Sequence, residues 1–142
     1  AKILDIGCAK GFLLKDMLDI GLDPYGLEIS RYAIKNCHKD VIGRIHLGSA
    51  ESLPFSDNSF DFVLSLNTLH NLDKFKCETA LKEIMRVSKG KSFIQVDSYR
   101  NLKEKKLFLD WVLTAKYHDY PKNWLKLFKK SAYKGDYFWT IV

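Results

Sequence analysis

The sequence predicts an α/β fold with a doubly wound, mostly parallel sheet, and three observations carry that expectation. Short apolar runs alternate with segments of helical periodicity along the 142 residues, as in βα units. The first run, Ile3 to Ile6, is too short for a helix and apolar enough for a strand buried on both faces. It ends in a glycine-bracketed turn, Gly7-Cys8-Ala9-Lys10-Gly11, that opens directly into a helical pattern.

Taken in order, strands are expected near 3–6, 24–28, 43–47, 60–66, 91–97 and 136–142, and helices near 11–20, 30–38, 73–88, 102–118 and 122–133. Phe12 to Ile20 repeats its apolar residues at helical spacing and stops at Gly21, a C-cap signal. Tyr25-Gly26-Leu27-Glu28 is the second strand and ends on a carboxylate. Trp124, Leu125, Leu127 and Phe128 form an apolar stripe on the last helix, and Asp136 to Val142 reads as the last strand. No repeat or low-complexity linker interrupts the alternation, so residues 1–142 are expected to form one domain.

Strand, turn, helix and strand place Gly7, Gly11 and Glu28 outside the carboxyl ends of the strands, where such sheets bind ligands. The spacing narrows the ligand. A dinucleotide fingerprint would need glycine where Ala9 and Phe12 stand, and a Walker A loop would need one more residue between Gly7 and Gly11. Asp5, beside the turn, repels a pyrophosphate and attracts a cation, and Glu28 can accept from two adjacent ribose hydroxyls. S-adenosylmethionine, with its ammonium, sulfonium and unphosphorylated ribose, fits these features. The alternative is a plain βα turn, with Glu28 a solvated strand end.

Gly48-Ser49-Ala50-Glu51-Ser52-Leu53-Pro54-Phe55-Ser56-Asp57-Asn58-Ser59-Phe60-Asp61, running on to Ser65, resembles the adenine-side segment and fourth strand of class I S-adenosylmethionine-dependent methyltransferases. The likeness is to the small-molecule group with an LPF-x-D-x-SFD signature. Asp5 to Gly11 is similar to that family's D-x-G-C-G-x-G motif, Leu66 to Leu72 to its post-strand segment, and Glu83 to Lys91 to its E-x-x-R-V-L-K-P-G-G turn. The matches run in order from residue 3 to about residue 97.

The resemblance implies a Rossmann-like fold and S-adenosylmethionine as cofactor. It implies that Gly7, Cys8, Ala9 and Gly11 contact the methionine portion through backbone, with Asp5 toward the ammonium. Glu28 would hold the ribose, the Ala50 N–H would meet the adenine, and Leu66 and Asn67 would line the methionine side; Ile29, Ser49 and Glu51 complete the expected cofactor set. Two positions depart from the family. Ala9 replaces a glycine, tolerable at negative φ and strained at positive φ. Ser49 replaces the aspartate that accepts from the adenine amine, so cofactor affinity is expected to be modest. The family also carries helices before its first strand and two strands, as a hairpin, after its fifth. This sequence begins on the first strand and shows one late strand, so the sheet is either one strand short or the chain truncated.

Three widely spaced cysteines suggest neither a disulfide framework nor a zinc site, and a reducing, cytoplasmic setting is expected. No stretch reaches membrane-spanning length and no signal pattern opens the sequence, so no membrane association is expected.

Residues 1–99 balance 13 basic against 13 acidic residues, whereas residues 100–142 hold 10 against 4 and carry the whole net charge of +6. Arg100, Lys103, Lys105 and Lys106, then Lys122, Lys126, Lys129, Lys130 and Lys134, can attract an anionic substrate or nucleic acid. The favoured alternative is a solvated face opposite the apolar stripe. Among the many aromatics of this end Trp111 is expected in the core, whereas Tyr99, His118 and Tyr120 are candidate substrate residues near element ends.

For catalysis, His70 after the fourth strand is the first choice of general base, against a loop histidine bonded to backbone. Asp97, ending the fifth strand, is the candidate to hold an acceptor hydroxyl or amine, against a solvated strand end. His38 and His46 are read as structural. The expected function is methyl transfer by in-line displacement to an O or N atom of a small molecule, anionic acceptors included, with no metal and no nucleic-acid partner. The alternatives are a nucleic-acid-binding protein or RNA methyltransferase using the basic end, and a cofactor-binding pseudoenzyme.

Overall fold

A computed structural model describes residues 1–113 and 115–141. Its strands are β1 (Lys2–Ile6), β2 (Asp23–Glu28), β3 (Ile45–Leu47), β4 (Phe62–Leu66), β5 (Ser92–Asp97) and β6 (Asp136–Thr140). Its helices are α1 (Phe12–Asp19), α2 (Arg31–Lys35), α3 (Lys74–Val87), α4 (Leu102–Trp111) and α5 (Pro121–Lys130), with short 3₁₀ turns at Lys39–Val41 and Leu69–Asn71. All six strands are parallel, in the order β3-β2-β1-β4-β5-β6. The predicted doubly wound α/β architecture is therefore present, and the order reverses between β1 and β4.

Alternation along β1 divides the core. Ile3 joins Leu14 and Met17 of α1 on one face, while Leu4 and Ile6 face Leu81 and Ile84 of α3 and Trp124 and Leu127 of α5 on the other. A central strand covered on both sides must be apolar throughout, which is why its first run is so legible.

Several expected bounds move for tertiary reasons. The helix expected over 102–118 ends at Trp111, because the following chain extends so that Lys116 and Tyr117 N–H donate to the His70 carbonyl at 2.7 and 3.1 Å. Trp111, expected in the core, is 71% exposed, and Phe108 takes the inward position. The helix expected over 30–38 stops at Lys35, and His38 N–H instead donates to Lys10 O. The single late strand pairs parallel with β5 through five residues, so β6 occupies the place beside it. On α5, Trp124, Leu127 and Phe128 are buried while Leu125 and Lys122, Lys126, Lys129 and Lys130 face solvent.

One clasp fixes the long connection from β3 to β4. The Arg86 guanidinium donates to the carbonyls of Leu53 and Phe55 at 3.0 and 2.8 Å and to Asp57 at 2.9 Å. Glu83 grips both sides of this joint, accepting from Arg86 at 2.7 and 2.9 Å and from the Leu53 N–H at 2.8 Å. A planar five-donor fork meets these divergent acceptors in a way an ammonium cannot. Arg86→Ala is expected to lower unfolding free energy in urea by about 1.5–3 kcal/mol, with Arg86→Lys recovering less than half. A loss below about 0.5 kcal/mol would show that the clasp is incidental.

Candidate cofactor and acceptor site

The site starts with how the chain leaves β1. Gly7 N–H and Cys8 N–H both donate to the Leu27 carbonyl, at 2.8 and 3.2 Å, tying the turn to the end of β2. Gly7 has φ +82°, and an added Cβ would lie 2.2 Å from Thr68 Oγ1, so only glycine fits between β2 and the chain after β4. Gly11 N–H donates to Cys8 O at 2.9 Å, closing the turn before α1.

Ala9 falls on the strained side of the expectation, with φ +51°. For an L-residue that conformation costs roughly 1–2 kcal/mol. Its N–H offsets part of this by donating to Glu28 Oε1 at 3.0 Å. Glu28 Oε2 accepts from Ser30 N–H at 2.8 Å. Each carboxylate oxygen keeps a further lone pair, and Glu28 borders the open cavity beside it.

That cavity, of about 500 Å³, spans the carboxyl ends of four strands. Ile6 and Gly7 come from the end of β1, Leu27 to Ile29 from β2, Gly48 to Glu51 from the chain after β3, and Leu66 to Thr68 from β4. It contains the point where strand order reverses, the usual ligand position in open α/β sheets. Of the expected cofactor residues, Gly7, Glu28, Ile29, Ser49, Ala50, Glu51, Leu66 and Asn67 line it. Asp5, Cys8, Ala9 and Gly11 do not line it: Asp5, Cys8 and Gly11 are buried, and the exposed Ala9 joins the site through its bond to Glu28.

Ser49 and Glu51 satisfy one another. Ser49 Oγ–H donates to Glu51 Oε2 at 3.1 Å while Glu51 N–H donates back to Ser49 Oγ at 3.3 Å. The serine that replaces an aspartate thus steadies a neighbouring carboxylate on the same wall.

Sequence reasoning missed Thr68, Asn71, Leu72, Lys76 and Lys116, which also line the cavity. Lys76 lies in the first turn of α3, whereas Leu72 is extended and precedes that helix, so no helical spacing joins them. Lys116 carries no local signal, because the bond from its N–H to His70 O puts it there.

His70 and Asp97 are brought together as a buried pair. His70 Nδ1 accepts from Asp97 N–H at 3.3 Å, placing the ring proton on Nε2, which lies 3.4 Å from Asp97 Oδ2. Burial lowers the His70 pKa against the opposing pull of Asp97, so the ring is neutral near pH 7. The pair lines a separate cavity of about 190 Å³, walled by Phe108, Trp111, Val112, Leu113 and Ala115. The two cavities flank the same backbone, since Asn71 and Lys116 line one and their neighbours His70 and Ala115 the other.

Tyr99, His118 and Tyr120 turn toward each other instead of into the main cavity. Tyr99 OH lies 2.8 Å from His118 Nδ1 and its ring packs edge-on against Tyr120 at 4.9 Å. Tyr99 is buried, and Tyr120 borders a recess formed with Arg100, Pro121 and Lys122. All three lie near element ends, and packing under α4 turns Tyr99 and His118 toward Phe108, as their ring contacts show.

A family model described as a methyltransferase domain matches residues 4–95, from β1 to β5. The chain belongs to that family. S-adenosylmethionine is the cofactor of these methyltransferases. The chain is 30% identical over 113 residues to the putative methyltransferase YrhH of Bacillus subtilis, covering 73% of this chain and 62% of that protein. It is 35% identical over 98 residues to demethylmenaquinone methyltransferase of Anoxybacillus flavithermus, covering 62% of this chain and 40% of the relative. The fold matches a crystal structure of a methyltransferase from Methanosarcina mazei with TM-score 0.76 and 22% identity, over 92% of this chain and 78% of that one. The chain spans less than two thirds of either curated relative. No helix among the described residues is long and apolar enough to cross a membrane.

The residues present suit the cofactor. The cavity falls within the roughly 300–1,000 Å³ of small-molecule sites, the Glu28 carboxylate on its wall keeps lone pairs free, and the carboxyl of Asp5 is buried just before the turn. Burial, aided by Glu28, raises the Asp5 pKa to about 7. A carboxyl whose folded pKa exceeds its unfolded one contributes stability below the unfolded value and loses it as pH rises through about 7. Asp5→Asn is therefore expected to melt close to the parent at about pH 5 and above it at about pH 8. A difference in melting temperature that stays constant across that range would refute the buried ionisation.

Proposed function

We propose that residues 1–142 act as a methyltransferase domain that moves a methyl group from S-adenosylmethionine to an O or N atom of a small molecule. The observation that carries this reading is the cavity at the β1–β4 switch point with Glu28 on its wall. The bound cofactor supplies an electrophilic methyl, so the protein's tasks are binding, alignment and exclusion of water.

Glu28 holds the ribose by the lone pairs that Ala9 and Ser30 leave free. The Ala50 N–H and the Glu51 carboxylate, steadied by Ser49, meet the adenine edge. Gly7, Leu66 and Asn67 line the methionine side, with Asp5 favouring the ammonium from behind. Asp97 accepts a hydrogen bond from the acceptor's hydroxyl or amine, and the His70 Nε2–H steadies its charge. The apolar walls of that smaller cavity fit an acceptor with an apolar body better than a strongly anionic one. A demethylmenaquinone methyltransferase among the relatives supports the same class. The lysines of α5 form a solvated face, so nucleic acid is not proposed as a partner.

Titration calorimetry with S-adenosylhomocysteine tests the cofactor assignment. Binding is expected, weakened by about 1.5–3 kcal/mol in Glu28→Ala, the scale of charged hydrogen bonds. Unchanged affinity in that variant would remove Glu28 from the site. A labelled-methyl screen over small hydroxyl and amine acceptors is expected to give product with the parent and little with Asp97→Asn. Product formed only on RNA would overturn the small-molecule reading.

A further inference from the structure

Asn67 directly follows β4 in a left-handed conformation, φ +53°, and lines the main cavity. Its backbone N–H donates to Gln95 O at 2.8 Å, fixing the main chain against β5. Its side chain is held from further away. Gln95 Nε2 donates to Thr140 Oγ1 at 2.8 Å, and Thr140 Oγ1 donates to Asn67 Oδ1 at 3.0 Å. A hydroxyl has one proton, and accepting from Gln95 commits that proton to Asn67. Thr140 is itself set in place, opposite Asp97 in the β5–β6 register, with its carbonyl accepting from Ser98 N–H at 3.0 Å. The edge strand, which lines none of the main cavity, thus reaches it through one hydroxyl.

We propose that Thr140 is a positioning residue for the cofactor site: it holds the Asn67 carboxamide by its oxygen, so that the amide N–H₂ faces the cavity as a donor to an oxygen of the cofactor's amino-acid end. This rests on the cofactor assignment above. A threonine held only for sheet packing would have no need of a polar relay. Here the relay runs from the half-buried Thr140 of the β5–β6 register into the binding wall, and it orients a group that would otherwise rotate freely on an exposed side chain.

Calorimetry with two probes tests it. S-adenosylhomocysteine carries the amino-acid end, and 5′-methylthioadenosine carries the same nucleoside without it. Thr140→Val is expected to raise the Kd of S-adenosylhomocysteine about fivefold, leaving that of 5′-methylthioadenosine within about twofold, and Thr140→Ser is expected to restore parental binding. Asn67→Asp keeps an oxygen for Thr140, tolerates the left-handed backbone and removes the donor; it is expected to weaken S-adenosylhomocysteine about tenfold or more. This variant decides the matter if the valine variant does not fold. Parental affinity in folded Thr140→Val or in Asn67→Asp, equal losses for both probes, or a serine variant no better than valine would overturn the proposal. Failure of the parent protein to bind either probe would instead overturn the cofactor assignment.

Discussion

The ligand end of the sheet depends on the Leu27 carbonyl. By accepting from two successive N–H groups of the β1–α1 turn, it forces the chain to leave β1 across the end of β2. The turn then lies close enough to the chain after β4 that Gly7 has no room for a side chain beside Thr68. Ala9 is driven to positive φ, and its N–H lands on Glu28. One acceptor therefore links the turn after β1, the end of β2 and the acidic group of the cavity.

What the sequence made legible follows from how local each determinant is. Ile3 to Ile6, the glycine turn and Glu28 could be read because strand burial, tight turning and a carboxylate at a strand end are properties of short segments. The joining of Ser49, Ala50 and Glu51 to the same cavity was legible through several motifs in register. The C-terminal third resisted for the opposite reason. Trp111 carries a core residue's chemistry, yet the extension after it, pulled toward His70 O, leaves it exposed. Tyr99 and His118 had plausible positions but satisfy one another, a pairing no spacing rule reveals. Lys116 and Thr140 reach the site through bonds spanning long stretches of chain.

The site and the scaffold divide polar burial between them. Arg86 and Glu83 satisfy each other and the connection they hold, so their charges stabilise the wall that carries Ala50 and Leu53. Asp5 is different: it is buried beside another carboxylate and its ionised form is disfavoured. Groups perturbed in this way gather at binding sites, and Asp5 lies just before the turn whose Gly7 lines the cavity.

The placement of β1 at the centre of the sheet also shapes how the chain reaches its fold. Its first neighbour, β2, follows through one short helix, but its second, β4, joins it through contacts such as Lys2 N–H to Asp61 across 59 residues. At roughly 5–20 residues per second of synthesis, β1 emerges several seconds before that partner exists. During this interval a strand made to be paired on both edges has the edge meant for β4 unpaired. The same centrality that organises the binding edge leaves β1 waiting on a partner encoded far along the chain.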